Sequence, residues 1–243
     1  VAFKKFKLYL AGIGFWFFAS LISITYYPLI SLLPISSKRK RDLAQDSNAF
    51  FFGFYIKVLI FLKLITVKIE GLQYLSKNQT CIFIANHPSM LDVFILMEIL
   101  PRVTCVIKAS TFHHKVLATG IKMAGYLSNE NPLEFIEKAQ NRLHEGARIL
   151  IFPEGTRSKP GEPLRFARGA ASLSMLTSCK IIPIFKSSEP RVMFRDNNWR
   201  NLKNFPIEYK VILKDPILPE QFKNHKKPTS QLNKKLEELY QIN

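Results

Sequence analysis

Residues 80–99 read "TCIFIANHPSMLDVFILMEI", and this stretch decides the fold. Thr80 to Asn86 is a short run rich in apolar, β-branched and aromatic side chains, which predicts a buried strand. From Ser89 to Ile99 the pattern becomes helical. Pro88 suits the first position of that helix, because its missing N–H is one of the donors a helix leaves unpaired there. The same succession recurs along the chain. "RVTCVIKAS" (Arg102 to Ser110), "ARILIFP" (Ala147 to Pro153), "CKIIPIF" (Cys179 to Phe185) and "IEYKVILKD" (Ile207 to Asp215) read as further strands. Pro132 to Glu145 and Arg168 to Leu176 read as helices. Such alternation predicts an α/β domain built on a mixed, largely parallel sheet flanked by helices. Near the end, Leu232, Leu236 and Leu239 share one helical face, as in a helix that docks on the domain.

The strand-to-helix junction carries His87 and, five residues on, Asp92. On a continuous helix that separation corresponds to a rotation of about 140°, so the two side chains would diverge. With His87 at the cap ahead of Pro88, Asp92 falls in the second turn and leans back toward the helix start. A carboxylate that accepts the proton of one ring nitrogen fixes the tautomer and leaves the other nitrogen as a general base. The nearby free N–H groups and the helix dipole favour developing negative charge. An aspartate that merely caps a turn beside a polar histidine accounts for this segment equally well by itself. A second loop shifts the balance. "LIFPEGTRS", Leu150 to Ser158, again runs from a strand into a turn, where Gly155 permits close approach to a ligand and Arg157 can take two anionic oxygens in a fork.

The composition bounds the rest. At 243 residues, with 47% hydrophobic and 22% charged, the chain suits one main domain plus an appendage. A formal net charge of +17 suits an anionic membrane, an acidic protein or nucleic acid. Nucleic acid is disfavoured, since no basic and aromatic reader motif is present. The three cysteines, Cys81, Cys105 and Cys179, show no metal-ligand spacing, so neither a disulfide nor a metal is expected. A serine hydrolase would need a G-x-S-x-G elbow and a phosphate-transfer enzyme a P-loop, and the sequence has neither.

Leu8 to Ser37 holds no charged residue. A helix over Leu8 to Tyr27 would be about 30 Å long, roughly the thickness of a bilayer's hydrocarbon core. A second apolar segment, Ala49 to Gly71, carries Lys57, Lys63 and Lys68, whose stems can snorkel. The basic linker "SSKRKRD", Ser36 to Asp42, joins the two. Because Lys4, Lys5 and Lys7 make the other end basic as well, a re-entrant or monotopic hairpin fits as well as a span. The expected division is therefore an N-terminal two-helix membrane-associating hairpin over residues 1–70 and an α/β domain over residues 71–243.

"NHPSMLD" (Asn86 to Asp92) and "FPEGTRS" (Phe152 to Ser158) together resemble the two diagnostic blocks of the glycerolipid acyltransferases, of the lysophosphatidate (1-acylglycerol-3-phosphate) type. Their order and their separation of about sixty residues match that family. "IKASTFHHKVLATGIKMAGYL" (Ile107 to Leu127) and "IIPIF" (Ile181 to Phe185) fall where the family has its other blocks, so the resemblance covers most of Gly71 to Asp215. It implies that His87 is the general base and Asp92 its orienting partner. It implies that Asn86, Glu154, Gly155, Thr156 and Arg157 bind substrate, with Lys108 and Arg168 as further anion contacts. It also implies that no cofactor is needed beyond an acyl-CoA or acyl carrier protein co-substrate. The implied partners are membrane lipids, a lysolipid acceptor and the acyl donor, and the implied location is the inner membrane with the site on its cytoplasmic side.

Two departures stand out. Ser110 occupies a place that is acidic in many relatives, and "YLSNEN" (Tyr126 to Asn131) lacks an arginine that usually follows the next strand. They weaken the case for a phosphate-bearing acceptor and leave as the alternative the same chemistry on a non-phosphatidate acceptor, a lyso-ornithine lipid or a specialised secondary lipid. A non-catalytic lipid-binding membrane module would explain the charge and the hairpin and leave both blocks unexplained.

Overall fold

The computed structural model describes residues 2–75, 79–86, 91–100, 102–154, 165–190 and 204–241. Three helices, α1 (Ala2–Ile24), α2 (Tyr26–Leu32) and α3 (Ser37–Phe61), precede β1 (Ile65–Glu70). Then come β2 (Ile82–Ala85), α4 (Asp92–Ile99), β3 (Val103–Ile107), the short helices α5 (Ala109–Phe112) and α6 (Ala118–Met123), and β4 (Leu127–Ser128). The chain continues through α7 (Pro132–His144), β5 (Arg148–Ile151), α8 (Gly169–Thr177), β6 (Ile181–Glu189), β7 (Ile207–Leu213) and α9 (Pro228–Gln241). The strands form one sheet in the order β1-β7-β6-β2-β5-β3-β4, parallel throughout except where β6 meets β7. This is the expected mixed, largely parallel α/β architecture.

Period-two alternation in the strands divides the core into two layers. Phe83, Ala85, Leu150, Ile182 and Ile184 face a cluster built with α3 and α4. Ile82, Ile84, Ile149, Ile151, Ile181 and Phe185 face the other, built with α7, α8 and α9. The connection after β2 therefore packs on one face and the connection after β5 on the other. Since β2 and β5 are neighbours, their carboxyl ends form a topological switch point, the place where a crevice opens in sheets of this type.

The N-terminal region is more integrated than the sequence predicts. The expected second apolar segment divides: its first part belongs to α3, and its last part is β1, the edge strand paired in parallel with β7. A boundary at residue 70 thus cuts off a strand of the sheet. Gly71, with φ of 83°, makes the turn out of β1, and a Cβ there would collide with the Leu213 carbonyl. The basic linker is helical too. Ser36 caps α3 by accepting from the Arg39 N–H, and the Lys and Arg that follow are good helix formers. Lys57, expected to snorkel, pairs with Glu98 of α4.

Candidate active site

The switch point gathers three strand ends. At the end of β2, Asn86 donates from Nδ2 to the Lys186 carbonyl at 2.8 Å and accepts from the Lys186 N–H through Oδ1, also at 2.8 Å. Its amide thus ties β2 to β6. From the opposite face Tyr240 of α9 does the same, donating toward the Ile84 carbonyl and accepting from the Ile184 N–H. The two strands are thereby fixed to each other at the carboxyl end of β2.

Asp92 is the first residue of α4 and only 1% exposed. It therefore stands in the first turn, one turn earlier than a helix beginning at Pro88 would put it. Lys186 continues the Ile182 and Ile184 alternation on the α4 face of β6, so its side chain is directed at the start of α4. There Nζ lies 3.2 Å from Asp92 Oδ2 and 4.7 Å from the centre of the Phe152 ring. Lys186 is 5% exposed, and burial pushes its ammonium down to about 8, against the opposing pull of Asp92 and, more weakly, Glu154. The result is a buried ion pair at the mouth of the crevice.

A cavity of about 410 Å³ is lined by two neighbours of the pair, Val93, next to Asp92 in sequence, and Phe152, whose ring lies under the Lys186 ammonium. Phe15 of α1, Phe52 of α3, Phe94 of α4 and Ile107 of β3 line its apolar wall, and Lys108 and Phe152, each just past a strand end, bring it to the crevice. Stacked rings shape the wall, with Phe52 and Phe94 centred 4.3 Å apart and Phe15 and Phe94 5.0 Å apart. The chamber is large enough for an extended hydrocarbon chain.

Of the residues named from sequence, Asn86, Asp92 and Glu154 gather around Lys186, and Lys108 is exposed at the cavity. Arg168 is exposed just ahead of α8, and no contact among the described residues joins it to that group. His87, Gly155, Thr156 and Arg157 lie outside the described residues. Among the described residues no cluster of side chains is suited to a metal ion. Lys186 and the cavity escaped the sequence reading. A lysine in phase with Ile182 and Ile184 was the available signal for the first. The cavity had none, because its wall is assembled from segments far apart in the chain.

The arrangement defines an α/β protein with a charged crevice at its switch point beside an apolar chamber. The same fold occurs in the solved 1-acyl-sn-glycerophosphate (LPA) acyltransferase PlsC of Thermotoga maritima, which matches with a TM-score of 0.74 over 98% of this chain and 95% of that one at 18% identity. The family model described as Acyltransferase matches residues 66–187, half of the sequence, and the chain belongs to that family. Similar sequences include the chloroplastic 1-acyl-sn-glycerol-3-phosphate acyltransferase of Brassica napus, 27% identical over 51% of this chain and 38% of that protein. The human 1-acyl-sn-glycerol-3-phosphate acyltransferase alpha is 29% identical over 64% of this chain and 56% of that protein. The chain thus spans about half the length of these relatives, or less.

Proposed function

We propose that the protein is a membrane-bound O-acyltransferase that moves a fatty acyl group from an acyl thioester, acyl-CoA or acyl carrier protein, to the hydroxyl of a lysophospholipid such as 1-acylglycerol-3-phosphate. The observation that carries this reading is the buried Asp92 of the "NHPSMLD" block standing beside an apolar chamber of about 410 Å³. A thioester is already activated, so a base, positioning and a site for the oxyanion suffice. His87, oriented by Asp92, takes the proton of the acceptor hydroxyl as its oxygen attacks the thioester carbonyl. The C–S bond then breaks, and the proton passes to the departing thiolate. The acyl chain occupies the cavity, and Glu154, Gly155, Thr156, Arg157 and Lys108 hold the acceptor's head group, with Arg168 as an outer anion contact.

The character of α1 supports attachment to the bilayer. Phe3, Phe6, Leu10, Ile13, Phe17, Leu21 and Ile24 recur at three- and four-residue spacing along one exposed face. The opposite face packs on the domain through Phe15 and Ala19. Residues 2–32 are long and apolar enough to cross a membrane by length and composition. A helix held along one side while exposing an apolar stripe along the other suits insertion into one leaflet. The inner membrane, with the crevice on its cytoplasmic side, fits the basic Lys38 to Arg41 run.

The decisive test supplies lysophosphatidate with acyl-CoA or acyl carrier protein donors to purified protein and follows thiol release. Wild type turns over, and His87→Ala loses about 10²- to 10⁴-fold while keeping its melting temperature and membrane binding. Full activity in His87→Ala removes the base assignment. Ser110 and "YLSNEN" favour a second reading, a non-phosphatidate acceptor, so lyso-ornithine lipid belongs in the same assay.

A further inference from the structure

We infer that Lys186 is a positioning residue of this reaction: its ammonium anchors the Asp92 carboxylate and governs how strongly that carboxylate supports the histidine base. The inference rests on the acyl-transfer reading of His87 and Asp92.

Three features of the geometry carry it. Asp92 and Lys186 are buried together with 3.2 Å between Oδ2 and Nζ, and a buried carboxylate is tolerated only with such compensation. The Lys186 backbone is held in both directions by the side chain of Asn86, the residue that precedes His87 in sequence, so the strand that carries the ammonium is tied to the end of β2. Nζ also lies over the Phe152 ring and within electrostatic reach of Glu154, so a single side chain links the "NHPSMLD" and "FPEGTRS" blocks. The charged groups facing it among the described residues are Asp92 from α4 and Glu154 from the turn after β5; its partner across β7, Val211, is apolar.

The direction of the effect follows from charge. Catalysis needs Asp92 ionised and the imidazole neutral before the hydroxyl proton is taken. A positive charge behind the carboxylate disfavours a second positive charge on the base that it supports. Without it, the acid limb of the rate profile moves up. Burial brings Lys186 itself down to about 8, so its charge is present below that pH and fades above it. The influence of the lysine should fade over the same range.

The test uses the full chain in membranes and measures kcat/KM for lysophosphatidate and acyl-CoA between about pH 5.5 and 10 for wild type, Lys186→Met, Lys186→Gln and Lys186→Arg, with melting temperatures alongside. In the methionine variant the acid limb is expected to rise by about one pH unit, so that activity on that limb falls about tenfold, and to converge on wild type above pH 8. Lys186→Gln repeats the reading should the methionine variant fail to fold. Lys186→Arg, which keeps the charge, is expected to hold the wild-type limb. A loss equal at every pH, an unmoved limb in the neutral variants, or a limb in Lys186→Arg that moves as far as theirs overturns the inference. His87→Ala is measured in the same series: full activity there overturns the acyl-transfer reading itself, and the inference with it.

Discussion

The two faces of the sheet are made by the same strands and differ in what they leave undone. On the face covered by α7, α8 and α9, Ile84, Leu173, Leu232 and Leu236 are fully buried, and Tyr240, a polar tie at the centre, has its hydroxyl satisfied by both β2 and β6. On the face covered by α1, α3 and α4, equally buried residues such as Leu59 and Leu96 give way, toward the strand ends, to a chamber and a buried ion pair. Protein interiors are normally close-packed, and buried charge usually costs stability. One face is therefore built to hold the sheet together, and the other is specialised at some cost.

Breaking the ion pair should have the largest effect. Asp92→Leu leaves the Lys186 ammonium buried opposite a methyl group, and removing one partner of a buried pair costs on the order of 3–5 kcal/mol. Turnover is lost as well, because the same carboxylate orients the base. Chemical denaturation together with the thiol-release assay checks both. A variant that loses turnover and keeps wild-type stability would show that the pair contributes nothing to the fold.

The closed face should respond in one respect only. Leu236→Ala empties a fully buried site between α9 and the sheet, a change that costs about 2–5 kcal/mol. Stability falls while turnover per folded molecule stays at the wild-type level. A change in donor preference in this variant would mean that the two faces are coupled through the strands and do not act independently.

The same contrast separates what was legible in the sequence from what was not. The closed face could be read directly, because Leu232 and Leu236 repeat at helical spacing and the strands alternate or run apolar. The two blocks at the switch point were legible as strand-to-turn junctions, and these contain Asp92 and Glu154. The N-terminal partition was not, because "AFFFGFYIKVLIFLKLITVKIEG" stays apolar between its few charged residues and its periodicity does not mark where α3 stops and β1 starts. The strand expected over Arg102 to Ser110 ends at Ile107, since Lys108 stands at the N-cap of α5: its carbonyl accepts from the Thr111 and Phe112 N–H groups. The Asp92 and Lys186 pair depends on β2 and β6 being neighbours, a long-range fact that local pattern does not contain.

The smallest effect should come from filling the chamber. Val93 of α4 is half-buried and lines the cavity, so Val93→Phe adds four carbons into existing space rather than into a packed core. Overpacking elsewhere costs about 1–3 kcal/mol, and here the cost should lie at or below the low end of that range. A bound acyl chain loses room instead. At about 0.8 kcal/mol per buried methylene, excluding two methylenes corresponds to roughly a tenfold loss for the longer donor. The ratio of kcat/KM for a sixteen-carbon over a twelve-carbon acyl-CoA should therefore fall about tenfold, with the twelve-carbon rate nearly unchanged. An unaltered ratio would place the acyl chain outside this chamber and leave the open face of the sheet without its proposed occupant.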